Sequence, residues 1–233
     1  MPVMDFSPFD QRNYPVTDAA SGYGEWARTY ESSVRDAMDL RLLARVTAVD
    51  WSGVSDAVDL ACGTGRVGAW LKARGVGRLD GQDITPAMLE GARARGVYDG
   101  LVVGDLRATP FAAASYDLAT SSLVDEHLAG LAPMYAEAAR LLRPGGWFVN
   151  VGMHPQFMTT VGMPTHYHRE DGEAITIETH LHTFEEHVEA GMAAGLRLVE
   201  VREGLIDDGF IAEKPKWEKL RGTPITMAVV WKK

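Results

Sequence analysis

The chain has 233 residues, 46% of them apolar and 24% charged, which excludes global disorder and allows a core to be buried without disulfide or metal staples. A net charge of −9 argues against a generic binder of nucleic-acid backbones or anionic membranes, although Lys214, Lys216, Lys219, Arg221, Lys232 and Lys233 crowd the C-terminal end. One cysteine, Cys62, excludes an intrachain disulfide and a multi-cysteine zinc site, and with no signal-like start and no apolar run of about 20 residues the expectation is a single-domain, cytoplasmic protein.

Residues 1–20 carry Pro2, Pro8 and Pro15 with little periodicity and read as an irregular arm. From Gly24 the pattern turns helical, with Val34, Met38, Leu42, Val46 and Val49 on one predicted face, and Trp51-Ser52-Gly53 ends it. Strands and helices then alternate. Strands are predicted at 57–61, 78–84, 101–103, 116–122 and 147–151, with helices at 66–74, 86–95 and 131–142 between them. Such alternation predicts βαβ units, a parallel sheet and helices on both of its faces. Residues 155–182 read as an inserted loop or hairpin. A helix over 184–194 follows, then two strands at 196–201 and 226–231, expected as an antiparallel pair added to the sheet.

The chemistry gathers at the ends of these strands. Asp59-Leu-Ala-Cys-Gly63-Thr-Gly65-Arg-Val-Gly68 leaves a strand and enters a helix, where glycine lets backbone approach a ligand closely. Gly63, Gly65 and Gly68 formally match the dinucleotide fingerprint, but Asp59 sits four residues upstream, and a carboxylate suits a cationic ligand better than a pyrophosphate. Asp83 ends the second strand, 18 residues after Gly65, as suits a ribose diol, and Asp105 follows the third.

In order and spacing these segments resemble the class I S-adenosylmethionine-dependent methyltransferases, over roughly residues 23–154. Asp59 to Gly65 resembles the acidic strand and glycine loop, Leu79 to Leu89 the ribose segment, Gly104-Asp105-Leu106 the adenine segment, Tyr116 to Leu123 the fourth strand and Leu141 to Gly146 the turn before the fifth. One departure is Ala61, where the family usually has glycine. The resemblance implies a Rossmann-like three-layer α/β fold with a seven-stranded, mostly parallel sheet whose last strand is antiparallel. It implies S-adenosyl-L-methionine as cofactor, S-adenosyl-L-homocysteine as product, and a small-molecule acceptor. It also implies that Asp59 serves the methionine amino group, Asp83 the ribose, and Asp105 and Leu106 the adenine, under Ile84 and Met88. Ala61, Gly63, Gly65 and Ser121 complete that cofactor set, and Tyr23 and Tyr30 resemble an aromatic cap over it.

In-line transfer from a sulfonium needs alignment and desolvation first, and a base only when the acceptor must lose a proton. The acceptor side is therefore the least legible. His127 and His154 follow the fourth and fifth strands and are the candidate general bases or acceptor contacts. Tyr14, Met153, His154, Tyr167, His168 and Trp217 are the candidate substrate contacts, either as lining of a pocket or as plain packing. The pairs His166/His168 and His180/His182, if they faced each other, would offer nitrogen ligands to a metal, but no metal is assigned. The expected organisation is one methyltransferase domain: an N-terminal lid (1–50), a cofactor core (51–154), an insert near the acceptor (155–182) and a closing helix and strand pair (183–233). Two rival readings are a binder that uses the cofactor structurally or for a non-methylating reaction, and an NAD-dependent oxidoreductase, which would not need Asp59. A monomer and a homodimer are both open, and neither nucleic acid nor membrane is an expected partner.

Overall fold

The computed structural model describes residues 4–34 and 37–233. Seven strands form its main sheet: β1 Asp56–Leu60, β2 Arg78–Asp83, β3 Gly100–Val103, β4 Tyr116–Ser122, β5 Leu142–Met153, β6 Arg197–Leu205 and β7 Pro224–Lys232. Their order across the sheet is β6-β7-β5-β4-β1-β2-β3. Strands β1 to β5 pair in parallel, and β7 runs antiparallel to both β5 and β6. This is the expected architecture. The order reverses beside β1, so the carboxyl ends of β1 and β4 open a crevice there.

Both faces of the sheet are covered, which is why its central strands read as apolar runs. Period-two alternation along β7 makes the point. Ala228 and Val230 join the cluster under α2 (Met38–Leu43) and α3 (Arg66–Lys72), with Leu42, Leu43, Trp70 and Leu71. Val229 and Trp231 join the cluster under α5 (Ala132–Leu141) and α7 (Phe184–Ala193), with Tyr135, Ala138 and Leu141. Each fully buried leucine there is worth about 2 kcal/mol in area removed from water. A further helix, α4 (Pro86–Arg95), seats Leu89 and Ala92 on Cys62. The capping box Thr183/Glu186 starts α7 at the expected place.

Three expectations change. The helical face through Val34 to Val49 is not one helix. Helix α1 spans Ala19–Ser33, starting on the Asp18 cap, residues 35 and 36 lie outside the described residues, and α2 is six residues long. Arg45 and Val46 then donate to Leu42 and Leu43 three residues back, which tightens the chain out of helix, yet Val46 and Val49 stay buried against the sheet. The periodicity recorded burial rather than helix. The fifth strand begins at Leu142, so the segment Leu142 to Gly146 is strand with a register shift and a left-handed Gly145 rather than a free turn.

The third change concerns the arm and the insert, which are stitched together. Val16–Thr17 pairs in parallel with Ala174–Ile177, which pairs antiparallel with His166–His168, while Met4–Asp5 pairs with His180–Leu181. Between them α6 spans Pro155–Val161. The hairpin lies within the segment expected as a loop or hairpin, but two-residue strands leave no periodicity in a sequence, so the pairing of the arm with the insert was not visible there.

Candidate functional site

The crevice holds a cavity with two lobes at the ends of β1, β2 and β4. The inner lobe is lined by Tyr30, Asp39, Asp59, Ala61, Gly63, Arg66 and Ser122 among others. The outer lobe is lined by Tyr23, Tyr30, Ala61, Gly63, Asp83, Ile84, Met88 and His127 among others. Three carboxylates and one guanidinium line the two lobes together, a donor set that fits a cationic ligand.

Asp59 is 1% exposed at the end of β1. Its Oδ2 accepts from Tyr98 Oη at 2.8 Å and its Oδ1 from Thr120 Oγ1 at 2.8 Å, Thr120 being its neighbour in register on β4. Burial pushes the carboxyl up to about 6, against the lowering by these two hydroxyls. Two glycines make Tyr98 possible. A Cβ on Gly68 would lie 2.3 Å from its hydroxyl, and one on Gly81 2.8 Å from its ring. Gly68, the third glycine of the apparent dinucleotide fingerprint, is therefore accounted for by packing against Tyr98.

Ala61 has φ +55°, Gly63 φ +54° and Gly65 φ +86°, so the loop enters the left-handed region three times. At Ala61 a side chain occupies a conformation that costs roughly 1–2 kcal/mol, which explains the glycine usual there. Asp83 fixes the loop: its Oδ2 accepts from Gly63 N at 2.9 Å and its Oδ1 from Thr85 N at 2.8 Å. Burial raises its carboxyl above the usual range, against the backbone donors of Thr85 and Gly63. Each carboxylate oxygen retains a lone pair for a further donor. Ile84 is 44% exposed and Met88 3%, so the pair forms a half-open apolar wall.

Helix α1 closes the other side. Tyr23 stacks on Trp26 with 5.7 Å between ring centroids, and Tyr30 packs edge-on to Trp26 at 4.9 Å. Glu31 binds the helix down, accepting from Thr64 Oγ1 and, at 2.7 Å, from Arg95 Nη2. Tyr23 Oη lies 3.0 Å from His127 Nε2, and His127 Nδ1 lies 2.8 Å from the Glu178 carbonyl of the insert. A carbonyl only accepts, so Nδ1 carries the hydrogen and Nε2 accepts from Tyr23. Burial holds His127 down at about 4, so it is neutral throughout the physiological range. Behind it, burial and the charge of Asp125 push Glu126 well above the carboxylate range, and Asp125 lies 3.2 Å from the buried His187.

Of the residues expected in the site, the structure brings together Tyr23, Tyr30, Asp59, Ala61, Gly63, Asp83, Ile84, Met88 and His127. Others fall outside the lining of both lobes. Gly65 caps α3 behind the loop. Asp105 is forked onto Arg107 at 2.6–3.0 Å, and Leu106 is a core residue. Ser121 donates to Asn150 Oδ1 at 2.7 Å on the far side of β4, where its neighbour Ser122 faces the cavity. His154 caps α6, accepting from Gln156 N at 3.2 Å, with Nε2 3.3 Å from Glu203. Both nitrogens are committed to fold contacts. Trp217 stacks on Phe157, and Met153 packs beside them, in a satellite core. Tyr167 is buried against Trp26 and donates to Glu25 at 2.5 Å. Tyr14 rests on His166, and His168 is exposed on an outer groove between α1 and the insert. The two histidine pairs lie in different small sheets, and among the described residues no group of three or more ligating side chains could hold a metal. The residues missed are Asp39 and Tyr98, which sit in no motif and reach the site only through folding, and Thr120 and Ser122, which lie in the fourth-strand segment but were not singled out.

A family model described as a methyltransferase domain matches residues 58–150. A malonyl-[acyl-carrier protein] O-methyltransferase of Hahella chejuensis is 34% identical over 210 residues, which is 82% of this chain and 71% of that protein. The chain belongs to the S-adenosylmethionine-dependent methyltransferases. A malonyl-[acyl-carrier protein] O-methyltransferase of Serratia marcescens is 32% identical over 129 residues, 49% of its length. A solved S-adenosylmethionine-dependent methyltransferase of Mesorhizobium loti superposes with TM-score 0.67 at 25% identity, over 85% of this chain and 99% of its own. The [4+2]-cyclase SpnF, at 16% identity and TM-score 0.64, over 94% of this chain and 98% of its own, shares the fold alone. The cofactor of this methyltransferase is S-adenosylmethionine, and the acid-rich lining suits its sulfonium and ammonium charges. Among the described residues no helix is long and apolar enough to cross a membrane.

Proposed function

We propose that this methyltransferase methylates the carboxylate of a small-molecule or carrier-borne acyl acceptor at the outer lobe, beside Tyr23 and His127. The observation that carries the reading is the state of His127. It is the histidine that lines the outer lobe, both its nitrogens are engaged, and burial holds it at about 4. Such a group is a poor base at neutral pH, so the acceptor must arrive ionised, as a carboxylate does. The Hahella relative, a malonyl-[acyl-carrier protein] O-methyltransferase by name, supports the same acceptor chemistry.

In this reading the cofactor, when bound, supplies an activated methyl group, and the chain supplies placement. Asp83 takes the ribose hydroxyls, Ile84 and Met88 the adenine face, and Ala61 and Gly63 the close backbone approach. Tyr23 turns its hydroxyl between His127 and the acceptor oxygen, while the cap of residues 4–17 and 155–182 excludes water and selects the acceptor. The test is S-adenosylhomocysteine release with matched panels of carboxylic acids, phenols and amines. Carboxylates are expected to turn over with a rate flat from pH 6.5 to 8. Turnover of amines or phenols alone, with a rate climbing with pH, would overturn the proposal.

A further inference from the structure

The acid that the glycine-loop motif supplies, Asp59, has a hydroxyl donor on each oxygen already. A second acid in the inner lobe does not. Asp39, on α2, is 1% exposed. Its Oδ2 accepts from Arg66 Nη2 at 2.9 Å and from Ser122 Oγ at 3.3 Å. Among the described residues its Oδ1 is buried with no hydrogen-bond partner, and the residue lines the inner lobe with Asp59, Gly63 and Arg66. A buried carboxylate oxygen without a donor is costly and rare in a folded protein. A bound ammonium supplies the missing donor with the right charge.

We propose that Asp39 is the ammonium anchor for the methionine end of the cofactor, with Asp59 serving instead to hold Tyr98 and Thr120 beneath it. The inference rests on the cofactor named above and concerns which residue of this chain grips it. Arg66, pinned to the other oxygen of Asp39, stands beside the anchor as the cation for the α-carboxylate, so one ion pair presents both signs to a zwitterion. Asp39 carries no motif signal: it stands in a mixed stretch of charged and apolar residues that folding delivers to the crevice.

The test measures binding rather than turnover. S-adenosylhomocysteine and 5′-methylthioadenosine, which lacks the amino-acid end, are titrated calorimetrically into the wild-type protein, Asp39→Asn and Asp59→Asn. The expected result for Asp39→Asn is a loss of ~10–100-fold for S-adenosylhomocysteine with 5′-methylthioadenosine unchanged within about twofold, the scale of one charge-assisted contact. The unchanged second ligand also reports that the variant is folded. Asp59→Asn is expected to treat the two ligands alike. Equal loss of both ligands in Asp39→Asn, wild-type affinity for both, or a selective loss in Asp59→Asn would overturn the assignment. Failure of the wild-type protein to bind either ligand would instead refute the cofactor site itself.

Discussion

Replacing Asp59 by asparagine tests whether this carboxylate is held ionised against burial. The protonated acid and the amide are nearly isosteric, and both suit two rotatable hydroxyls. The folded-state value of about 6 lies above the ordinary 3.8, so the folded state binds the proton more tightly. Stability from this group is therefore complete below pH 3.8 and is lost as pH rises through 6. At 1.36 kcal/mol per pH unit the full loss is ~3 kcal/mol. Wild-type protein is thus expected to be less stable than Asp59→Asn by ~1 kcal/mol at pH 4.5 and ~3 kcal/mol at pH 7.5. At roughly 2–4 °C per kcal/mol for a chain of this size, the variant should melt about 6–12 °C higher at pH 7.5. His127 pulls the opposite way: its value of about 4 lies below the ordinary 6.5, so its contribution is lost as pH falls through 4. The wild-type pH profile alone hides both effects, and only the difference between variant and wild type isolates Asp59. The assay is thermal unfolding by circular dichroism without cofactor at the two pH values. A variant no more stable than wild type at pH 7.5, or a difference independent of pH, would refute the reasoning.

Other outcomes follow from single contacts. Ala61→Gly removes a left-handed side chain at φ +55° and should stabilise by ~0.5–1 kcal/mol, read as a rise of about 2 °C in Tm. Gly68→Ala puts a Cβ 2.3 Å from Tyr98 Oη and should cost ~2–3 kcal/mol in chemical denaturation by driving the tyrosine off Asp59. Glu31→Gln weakens the half-exposed clasp of α1 to Thr64 and Arg95; stability should change by less than ~1 kcal/mol, while S-adenosylmethionine dissociation in stopped flow quickens severalfold. His154→Ala should lose ~1 kcal/mol of capping and leave kcat within about twofold of wild type, because both ring nitrogens serve the fold.

What the sequence determined by itself is the sheet and the acids at its strand ends. The alternation of short strands with helices is a local signal. The positions of Asp59 and Asp83 follow from it, because the carboxyl end of a parallel strand lies beside the crevice. Side-chain direction was less legible. Ser121 and Ser122 differ by one residue on β4 and point to opposite faces, and only the register with β5 decides which one meets the cavity. Asp105 sits at the expected strand end, but Arg107 two residues on claims its carboxylate, a local pairing that spacing does not reveal. The joining of arm and insert into one cap was invisible for another reason. Its strands are two to four residues long, and those that join the arm to the insert pair across more than 150 positions, so nothing in either segment announces the other. Tertiary structure alone made a helix cap of His154 and a core residue of Trp217. It alone also brought Tyr23 from α1, His127 from the end of β4 and Glu178 from the insert into one hydrogen-bonded chain. Strand ends are fixed by local pattern. The closing of a site over them depends on contacts between distant segments, and these exist only once the chain has folded.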